Sequence, residues 1–331
     1  MKKSIFLSFI LCLCLVACIP QQAMAQKQSR MEKLLRYLND NDADKWQKNR
    51  EKLDDETKAY YAEDLSLMDV LNDLWNGQSE QAATLYFGCY EKAAQNNFPS
   101  ICEGEKIPLS QIRDKADQSI INLLEASKDK IPFSRALLDS IHATEYPVDS
   151  AMLQRLQNIR EVALLEGMLK APTPIIYQTY VKEYPNGKFI AQVNASENVR
   201  LYQLVKTTPT PANFKAFFED PEMQKYYQDR GPRPYLAEVR TLYDDFLFQR
   251  IDSLKKEGNA TAIRQIIDDY KNTPYLATGA RTHLNDLEYL SEKADFELLK
   301  PAIVNSESLG LLQEFLKTHK YKEFRDQAKN L

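Results

Sequence analysis

The residues that most often carry enzymatic or metal chemistry are few and scattered in this chain. Its three histidines, His142, His283 and His319, are widely separated, and none lies four residues from another, as zinc ligands on one helix would. No glycine-rich phosphate loop occurs, and no cysteine pairs with a histidine in a known catalytic arrangement. We therefore predict no catalytic residue, no bound metal and no cofactor.

Three aspartates at alternate positions and a later glutamate lie between Asp40 and Glu51. Carboxylates at alternate positions, with a glutamate at the last one, imitate the loop of an EF-hand calcium site. The sixth position of such a loop needs glycine for its sharp turn, and here it is Lys45, whose positive charge also opposes a cation. The segment is therefore predicted to be a solvated turn between helices.

An enzyme alternative comes from the segment that runs from Ser306 to Gln313. It is similar to lytic transglycosylases, envelope enzymes that carry a catalytic Glu-Ser and a later Gly-Leu-Met-Gln, although here the two elements are fused. The resemblance would make Glu307 the acid of a cell-wall glycan lyase or hydrolase. Such an acid needs an enclosing domain that raises its pKa and holds the glycan, and little chain follows Glu307. The preferred interpretation is the start of a helix.

Two of the five cysteines, Cys89 and Cys102, lie outside the N-terminal segment. An even number in an oxidising compartment predicts a disulfide, which would constrain the unfolded chain by about 3 kcal/mol in the loop-entropy model. The alternative is two buried free thiols. A bridge would hold the stretch from Asn96 to Pro108, whose proline and glycine residues predict an ordered loop.

Residues 1–25 have the three parts of a secretory signal peptide: two lysines, an apolar run, and small residues before a cleavage site after Ala25. The run is shorter than the roughly 20 apolar residues that cross a bilayer. A second processing signal overlaps the signal peptide, because Leu15-Val16-Ala17-Cys18 resembles the bacterial lipobox. This resemblance implies cleavage after Ala17 and lipidation of Cys18. We expect an exported protein of a Gram-negative bacterium, either periplasmic or secreted, or anchored to the outer membrane by lipid.

Three Asp-Ser-aliphatic triplets are similar to the short acceptor of O-glycosylation in some Gram-negative envelopes. They predict modification at Ser140, Ser150 and Ser253. The alternative is that these are ordinary exposed serines near helix ends.

The composition is that of a folded protein with an ordinary polar surface. The formal net charge is −4, 27% of the residues are charged and 44% are hydrophobic, including 18 tyrosines and 14 phenylalanines. The sequence has no concentrated group of basic residues, which binding to phosphate backbones requires, so we predict no nucleic-acid partner. The aromatic content is sufficient to fill a core, so the chain is not disordered.

Apolar residues recur at helical spacing nearly throughout, and sustained alternation of the kind that strands show is missing. Helix N-caps are predicted at Thr173, Thr210, Asn259 and Ser306, the first two because each precedes a proline. The fold class is therefore predicted to be all-α. The predicted core faces comprise Leu34, Leu35 and Leu38; Leu65, Met68, Leu71, Leu74 and Trp75; and Leu153, Leu156, Ile159, Val162, Ala163 and Leu165.

Aromatic residues mark the ends of several predicted helices, which begin at intervals of about 40 residues. The segments Tyr180–Phe189, Ile266–Tyr275 and Phe315–Phe324 align, with an aromatic residue, a break and a second aromatic five residues later, except that His319 takes the first position in the third segment. The pattern resembles degenerate tetratricopeptide-like repeats of bacterial envelope proteins. The resemblance implies an irregular α-solenoid of stacked helical hairpins with a concave binding surface.

This pattern divides the mature chain into an N-terminal helical-hairpin region, residues 27–170, and C-terminal tetratricopeptide-like repeats, residues 171–331. The segment from Met223 to Pro232 looks like an insertion into the repeats. Most aromatics at helical spacing belong to a core, and those best suited to an exposed binding face are Tyr226, Tyr227 and Tyr235 beside the Gly231-Pro232 break.

These observations predict a non-catalytic envelope adaptor or scaffold that binds a protein partner through a groove between helical repeats. The first alternative is a surface or periplasmic binder of glycan or peptide ligands, which would need several exposed aromatics on one face. The glycan lyase or hydrolase is the second alternative. Membrane contact is expected only through a lipid anchor, and the oligomeric state stays open.

Overall fold

The computed structural model describes residues 24–77, 79–257, 259–276, 282–305 and 308–331. Within these ranges the secondary structure is helical and contains no strand, which confirms the all-α prediction. The chain divides into two compact units, Met1–Glu166 and Gly167–Leu331, close to the sequence-based boundary after Lys170. Over the same ranges, no helix is both long enough and apolar enough to cross a membrane.

Local signals explain where helices of the first unit begin. The side chains of Asp42, Asp54 and Ser79 each accept a hydrogen bond from the backbone N–H three residues later, which caps the helix that follows. The helices are α1 (24–39), α2 (Ala43–Glu51), α3 (Asp55–Tyr60), α4 (Ala62–Trp75), α5 (Glu80–Ala94), α6 (Phe98–Gly104), α7 (Leu109–Ala126), α8 (Lys130–His142) and α9 (Ser150–Lys170), in which the division between the units falls.

The core of the first unit forms around α4 and α5, which pack side by side, while α7 contacts α4 and α8 contacts α5. Two predicted stripes are buried as expected, except that Trp75 on α4 is half-buried. They comprise Leu34, Leu35 and Leu38 on α1, which are fully enclosed, and Leu65, Met68, Leu71 and Leu74 on α4, which are at most 2% exposed.

The third predicted stripe, on α9, differs in one position. Leu156 and Ala163 are buried, but Val162 is 37% exposed. The reason is helical geometry, because the position four residues after Leu156 on the buried face is Arg160 and not Val162. Arg160 is 2% exposed, and its Nη1 donates to the Ile131 carbonyl oxygen at 2.8 Å.

The stretch predicted as a loop from Asn96 to Pro108 instead contains the short helix α6. Phe98, Ile101 and Cys102 form its buried face, at the spacing of one helical turn. At its end, a Cβ on Gly104 would lie 2.1 Å from Glu32 Oε1, so a larger residue there would require the Glu32 side chain to move. Apolar packing therefore holds this segment.

Tyr146, in the connection between α8 and α9, is the centre of a buried polar and aromatic cluster. Its hydroxyl donates to Asp117 Oδ1 at 2.5 Å and lies 3.3 Å from the hydroxyl of Tyr86. Its ring packs edge-to-face against Tyr86, Phe87 and Tyr90 of α5. Burial raises the pKa of Asp117 to about 6.

A second buried carboxyl group, Asp64, lies on α4 and is fully enclosed. Asn96 Nδ2 donates to its Oδ2 at 2.9 Å, and its Oδ1 has no hydrogen-bond partner among the described residues. Burial raises the pKa of Asp64 to about 7, against a smaller opposing effect of a hydrogen bond from the Phe98 backbone.

The second unit confirms three of the predicted N-caps. Thr173, Thr210 and Asn259 each accept a hydrogen bond from the backbone N–H three residues later. Ser306 lies outside the described residues, and the helix there begins after Ser308. The helices are α10 (Pro174–Glu183), α11 (Ile190–Thr207), α12 (Pro211–Glu219), α13 (Pro221–Tyr227), α14 (Leu236–Glu257), α15 (Ala260–Asn272), α16 (Leu284–Ala302), α17 (Leu309–Thr318) and α18 (Lys322–Ala328).

Helices of the second unit pack mainly against their neighbours in sequence. Contacts join α10 to α11, α11 to α12, α13 and α14, α14 to α15, α15 to α16, and α16 to α17 and α18. Buried tyrosines reinforce them, as where Tyr177 of α10 donates to Asn194 of α11 at 2.9 Å. The aligned aromatics differ in position, because Tyr184 directly follows α10 whereas Tyr270 lies inside α15.

Candidate functional site

The histidines take packing positions. His283 stacks on Phe248 with ring centres 4.0 Å apart, and His319 stacks on Phe315 at 3.9 Å. His142 is exposed at the end of α8. Among the described residues, no group of three or more histidine, cysteine, aspartate or glutamate side chains could hold a metal ion.

The acidic segment around Asp42 uses its carboxylate to start α2. Asp42 Oδ1 accepts from the Lys45 backbone N–H at 3.1 Å, and Asp42 Oδ2 accepts from Lys45 Nζ at 2.6 Å. The side-chain hydrogen bond from Lys45 lowers the pKa of Asp42. Lys45 therefore occupies the carboxylate that a cation would need.

Cys89 and Cys102 are free thiols, and the predicted disulfide is not formed. The two side chains belong to separate environments. Cys89 is half-buried with its Sγ 3.5 Å from Ser66 Oγ, whereas Cys102 is buried within the face of α6. Burial raises the pKa of the Cys102 thiol to about 12.

Several predicted sites fall outside the described residues. These are residues 1–23, with the predicted lipidation site Cys18, and Ser306 and Glu307 of the transglycosylase-like segment. The predicted signal cleavage site after Ala25 lies near the beginning of α1.

The three predicted glycosylation serines lie in helices. Ser140 is half-buried inside α8, Ser150 is the exposed first residue of α9, and Ser253 is exposed inside α14. Only Ser150 is at a helix end, as the alternative interpretation expected.

The predicted aromatic binding residues separate into two groups. Tyr226 and Tyr227 are half-buried on α13 and pack edge-to-face, with ring centres 5.0 Å apart. Tyr235 is 40% exposed, but one face of its ring stacks on Tyr202 of α11 at 4.3 Å. Tyr226 and Tyr227 line two cavities of about 740 and 840 Å³, respectively.

The larger cavity lies between α12, α13, the start of α14 and the Pro274-Tyr275 segment, and we name it the Arg233 pocket. Its wall is largely apolar and aromatic, with two guanidinium groups among the lining side chains. The lining residues are Phe218, Glu219, Pro221, Met223, Gln224, Lys225, Tyr227, Gln228, Gly231, Pro232, Arg233, Leu236, Arg240, Pro274 and Tyr275.

Arg233 is only 9% exposed and is held by neutral groups. Its Nε donates to Asn198 Oδ1 at 2.6 Å and its Nη1 donates to the Phe217 carbonyl oxygen, while the guanidinium lies 3.9 Å from the centre of the Phe217 ring. Nη2 has no hydrogen-bond partner among the described residues. Burial lowers the pKa of Arg233 to about 10, which leaves the group charged at neutral pH.

Arg240 contributes a second donor to the same pocket. It follows Leu236 by one helical turn on α14, and both residues line the cavity. Its Nε is buried and has no hydrogen-bond partner in the described part of the chain. Arg233 Nη2 and Arg240 Nε are therefore both enclosed by the protein and without an acceptor among the described residues.

The pocket also has an aromatic part to its wall. The rings of Phe218 and Tyr275 stack with centres 4.4 Å apart, and the Tyr275 hydroxyl donates to the Glu219 carboxylate. The acidic residue of the lining is thus already engaged by a neighbour. An anion that enters the pocket would meet apolar side chains and donors.

The backbone that carries Arg233 is fixed by its sequence. Prolines precede and follow it at 232 and 234, and their rings restrict φ. Gly231 and Tyr235 have φ values of 94° and 64°, in the left-handed region. Sequence reasoning missed Arg233 and Arg240, and the available signal was an arginine between two prolines directly after the apparent insertion.

The arrangement suits binding. Its lining combines apolar and aromatic surface with arginine side chains. Comparison of the chain with protein-family models, with curated proteins and with solved structures found no match.

Proposed function

We propose that the protein is a non-catalytic adaptor of the bacterial cell envelope, which binds a protein partner through the helical-repeat surface of its second unit. The N-terminal signal sequence is the basis for the envelope location. The repeated Thr-Pro helix starts and the aligned aromatic segments support an irregular, tetratricopeptide-like arrangement of hairpins.

The packing of successive helices supports this repeat interpretation. In a solenoid each hairpin contacts mainly its neighbours, and the contacts of α10 to α18 follow the order of the chain. Such arrays bind extended segments of other proteins, because rigid hairpins present side chains along a continuous surface.

The observation that carries the proposal is the Arg233 pocket. A cavity of about 840 Å³ lined by aromatic, apolar and arginine side chains has the properties of a site that anchors a partner's side chain. Binding energy at protein interfaces concentrates where a few side chains fill such pockets.

A binder of glycan or short peptide ligands is the second candidate function. The half-buried pair Tyr226 and Tyr227 favours it, because each tyrosine lines a cavity and aromatic rings stack on sugars and apolar side chains. This candidate predicts that small ligands bind the isolated protein while no protein partner is captured.

Site-specific photo-crosslinking in intact cells tests the adaptor function. A benzophenone amino acid would replace Gln228, which is exposed and lines both cavities, or Arg250, an exposed residue of α14 outside them. We expect one envelope protein to be captured from position 228 and not from position 250. Equal capture from both positions, or none from either, would refute the proposal.

A further inference from the structure

Asp64 of α4 is an enclosed carboxyl group whose surroundings favour its neutral form. It is fully buried, its Oδ2 accepts from Asn96 Nδ2 at 2.9 Å, and its Oδ1 has no hydrogen-bond partner among the described residues. Over the same residues, no basic side chain forms an ion pair with it. A buried carboxylate without a counter-ion is unfavourable, so ionisation of Asp64 opposes the packing that encloses it.

The titratable groups near Asp64 do not relieve this cost. Glu63, beside it on α4, opposes its ionisation. Tyr61, at the start of α4, and Cys102, on α6, also interact with the carboxyl group, and neither is a cation. Backbone N–H groups at the start of α6 favour the carboxylate, but burial has the larger effect and raises the pKa of Asp64 to about 7.

The cover over Asp64 is formed by α6 and the residue that leads into it. Asn96 lies two residues before the first residue of α6, and Cys102 belongs to the buried face of this helix. A helix of seven residues is not stable alone, so α6 depends on the packing of Phe98, Ile101 and Cys102. A short element of this kind can detach while the rest of the unit stays folded, and its detachment would hydrate Asp64.

The same helix forms one wall of a cavity of about 430 Å³ in the first unit. The lining residues are Asn97, Ser100 and Ile101 of α6, Tyr60 and Tyr61 between α3 and α4, and Met24, Ala25 and Gln28 of α1. Detachment of α6 would remove this wall and expose the apolar side chain of Ile101, which is fully buried when the helix is in place.

We infer that α6 is a pH-sensitive lid of the first unit, which ionisation of Asp64 releases from α4 as the pH rises. The closed form contains the neutral carboxyl group and the complete cavity. In the open form the proton of Asp64 has passed to the solvent, the carboxylate is hydrated, and the cavity lacks its α6 wall. This device lies in the first unit and does not depend on the adaptor function proposed for the second.

Hydrogen exchange followed by mass spectrometry tests the inference on the complete chain, with rates corrected for the intrinsic effect of pH. Up to about pH 7 only the open form releases the proton, so each pH unit favours opening about tenfold, and above that the gain levels off. Opening of α6 should therefore increase about tenfold from pH 6 to pH 8. At pH 8 the amides of α6 should exchange at least about tenfold faster than those of α8, because opening is local.

Variants assign the effect to Asp64. Asp64→Asn does not titrate and should lack the increase between pH 6 and pH 8, whereas Asp73→Asn, an exposed substitution on the same helix, should keep it. Asp64→Ala gives the same comparison without a buried amide, should asparagine destabilise the fold.

Alkylation of Cys102, located by peptide mapping, is a second readout of opening. The ratio of its rate in the unmodified protein to that in Asp64→Asn should rise about tenfold from pH 6 to pH 8. Comparing the two proteins at each pH cancels the titration of the exposed thiol itself.

Three outcomes would overturn the inference. Equal exchange of α6 and α8 at pH 8 would mean that Asp64 becomes exposed only when the whole unit unfolds. Exchange of α6 that does not change between pH 6 and pH 8 would remove the pH dependence, and an equal increase in Asp64→Asn would assign it to another group.

Discussion

Replacement of Asp64 by asparagine should change how the stability of the first unit depends on pH. The folded state keeps the proton of Asp64 up to about pH 7, whereas the unfolded chain releases it near the usual value of 3.8. The contribution of this proton to the free energy of unfolding is fully present below pH 3.8 and is lost as the pH rises toward about 7. Asparagine does not titrate, so the variant lacks this loss.

The size of the effect follows from the shift. One pKa unit corresponds to about 1.36 kcal/mol, so a rise from 3.8 to about 7 corresponds to roughly 4 kcal/mol. The asparagine amide can still accept from Asn96 Nδ2, but its NH₂ group would take the place of the unpartnered Oδ1. That unsatisfied donor costs about 1–3 kcal/mol at every pH.

The quantity to measure is the difference in the free energy of unfolding between Asp64→Asn and the unmodified protein. Both tryptophans, Trp46 and Trp75, lie in the first unit, so their fluorescence during urea unfolding reports on that unit. Between about pH 4 and pH 8 the difference should move in favour of the variant by roughly 4 kcal/mol. Asp73→Asn, an exposed substitution on the same helix, is the matched control.

A difference for Asp64→Asn that stays constant within about 1 kcal/mol over this range would refute the reasoning. It would mean that Asp64 titrates in the folded protein as it does in the unfolded chain.

Three further results are expected from the local structure. Thr173→Ala should lower the free energy of unfolding of the second unit by about 1 kcal/mol, because the hydrogen bond from the Ile176 backbone N–H is lost; no loss in urea unfolding followed by circular dichroism would contradict it. Phe214→Ala should cost about 3–5 kcal/mol, since this ring is fully buried, whereas a cost below about 1 kcal/mol would contradict its burial. Cys89 should react with an alkylating reagent in the native protein and Cys102 only after unfolding, because burial encloses the Cys102 thiol and raises its pKa; two unreactive cysteines and a mass lower by two hydrogens would indicate the disulfide.

The secondary structure was largely predictable because it depends on local signals. Helical spacing of leucines and the caps at Thr173, Thr210 and Asn259 act within a few residues, and the structure has them where the sequence indicates. The stretch from Asn96 to Pro108 was predicted as a loop because its proline and glycine were interpreted as helix breakers. Proline is tolerated in a first turn, and burial of Phe98 and Ile101 decides the outcome.

The candidate site was predictable only in its place along the chain. The break at Gly231 identified the region, and Tyr226 and Tyr227 line cavities there. Arg233 and Arg240 were not predicted, because a charged side chain is ordinarily assigned to the surface. Whether the N–H groups of such an arginine find acceptors depends on residues from other helices. A single sequence does not show these contacts.

The buried cluster at Tyr146 affects how the chain folds. Its hydroxyl meets that of Tyr86, 60 residues earlier in the chain. Contacts between distant residues form later, because the entropy of closing a long loop is lost before the contact stabilises it. During synthesis, the aromatic cluster of Tyr86, Phe87 and Tyr90 is therefore completed only after Tyr146 has been added to the chain.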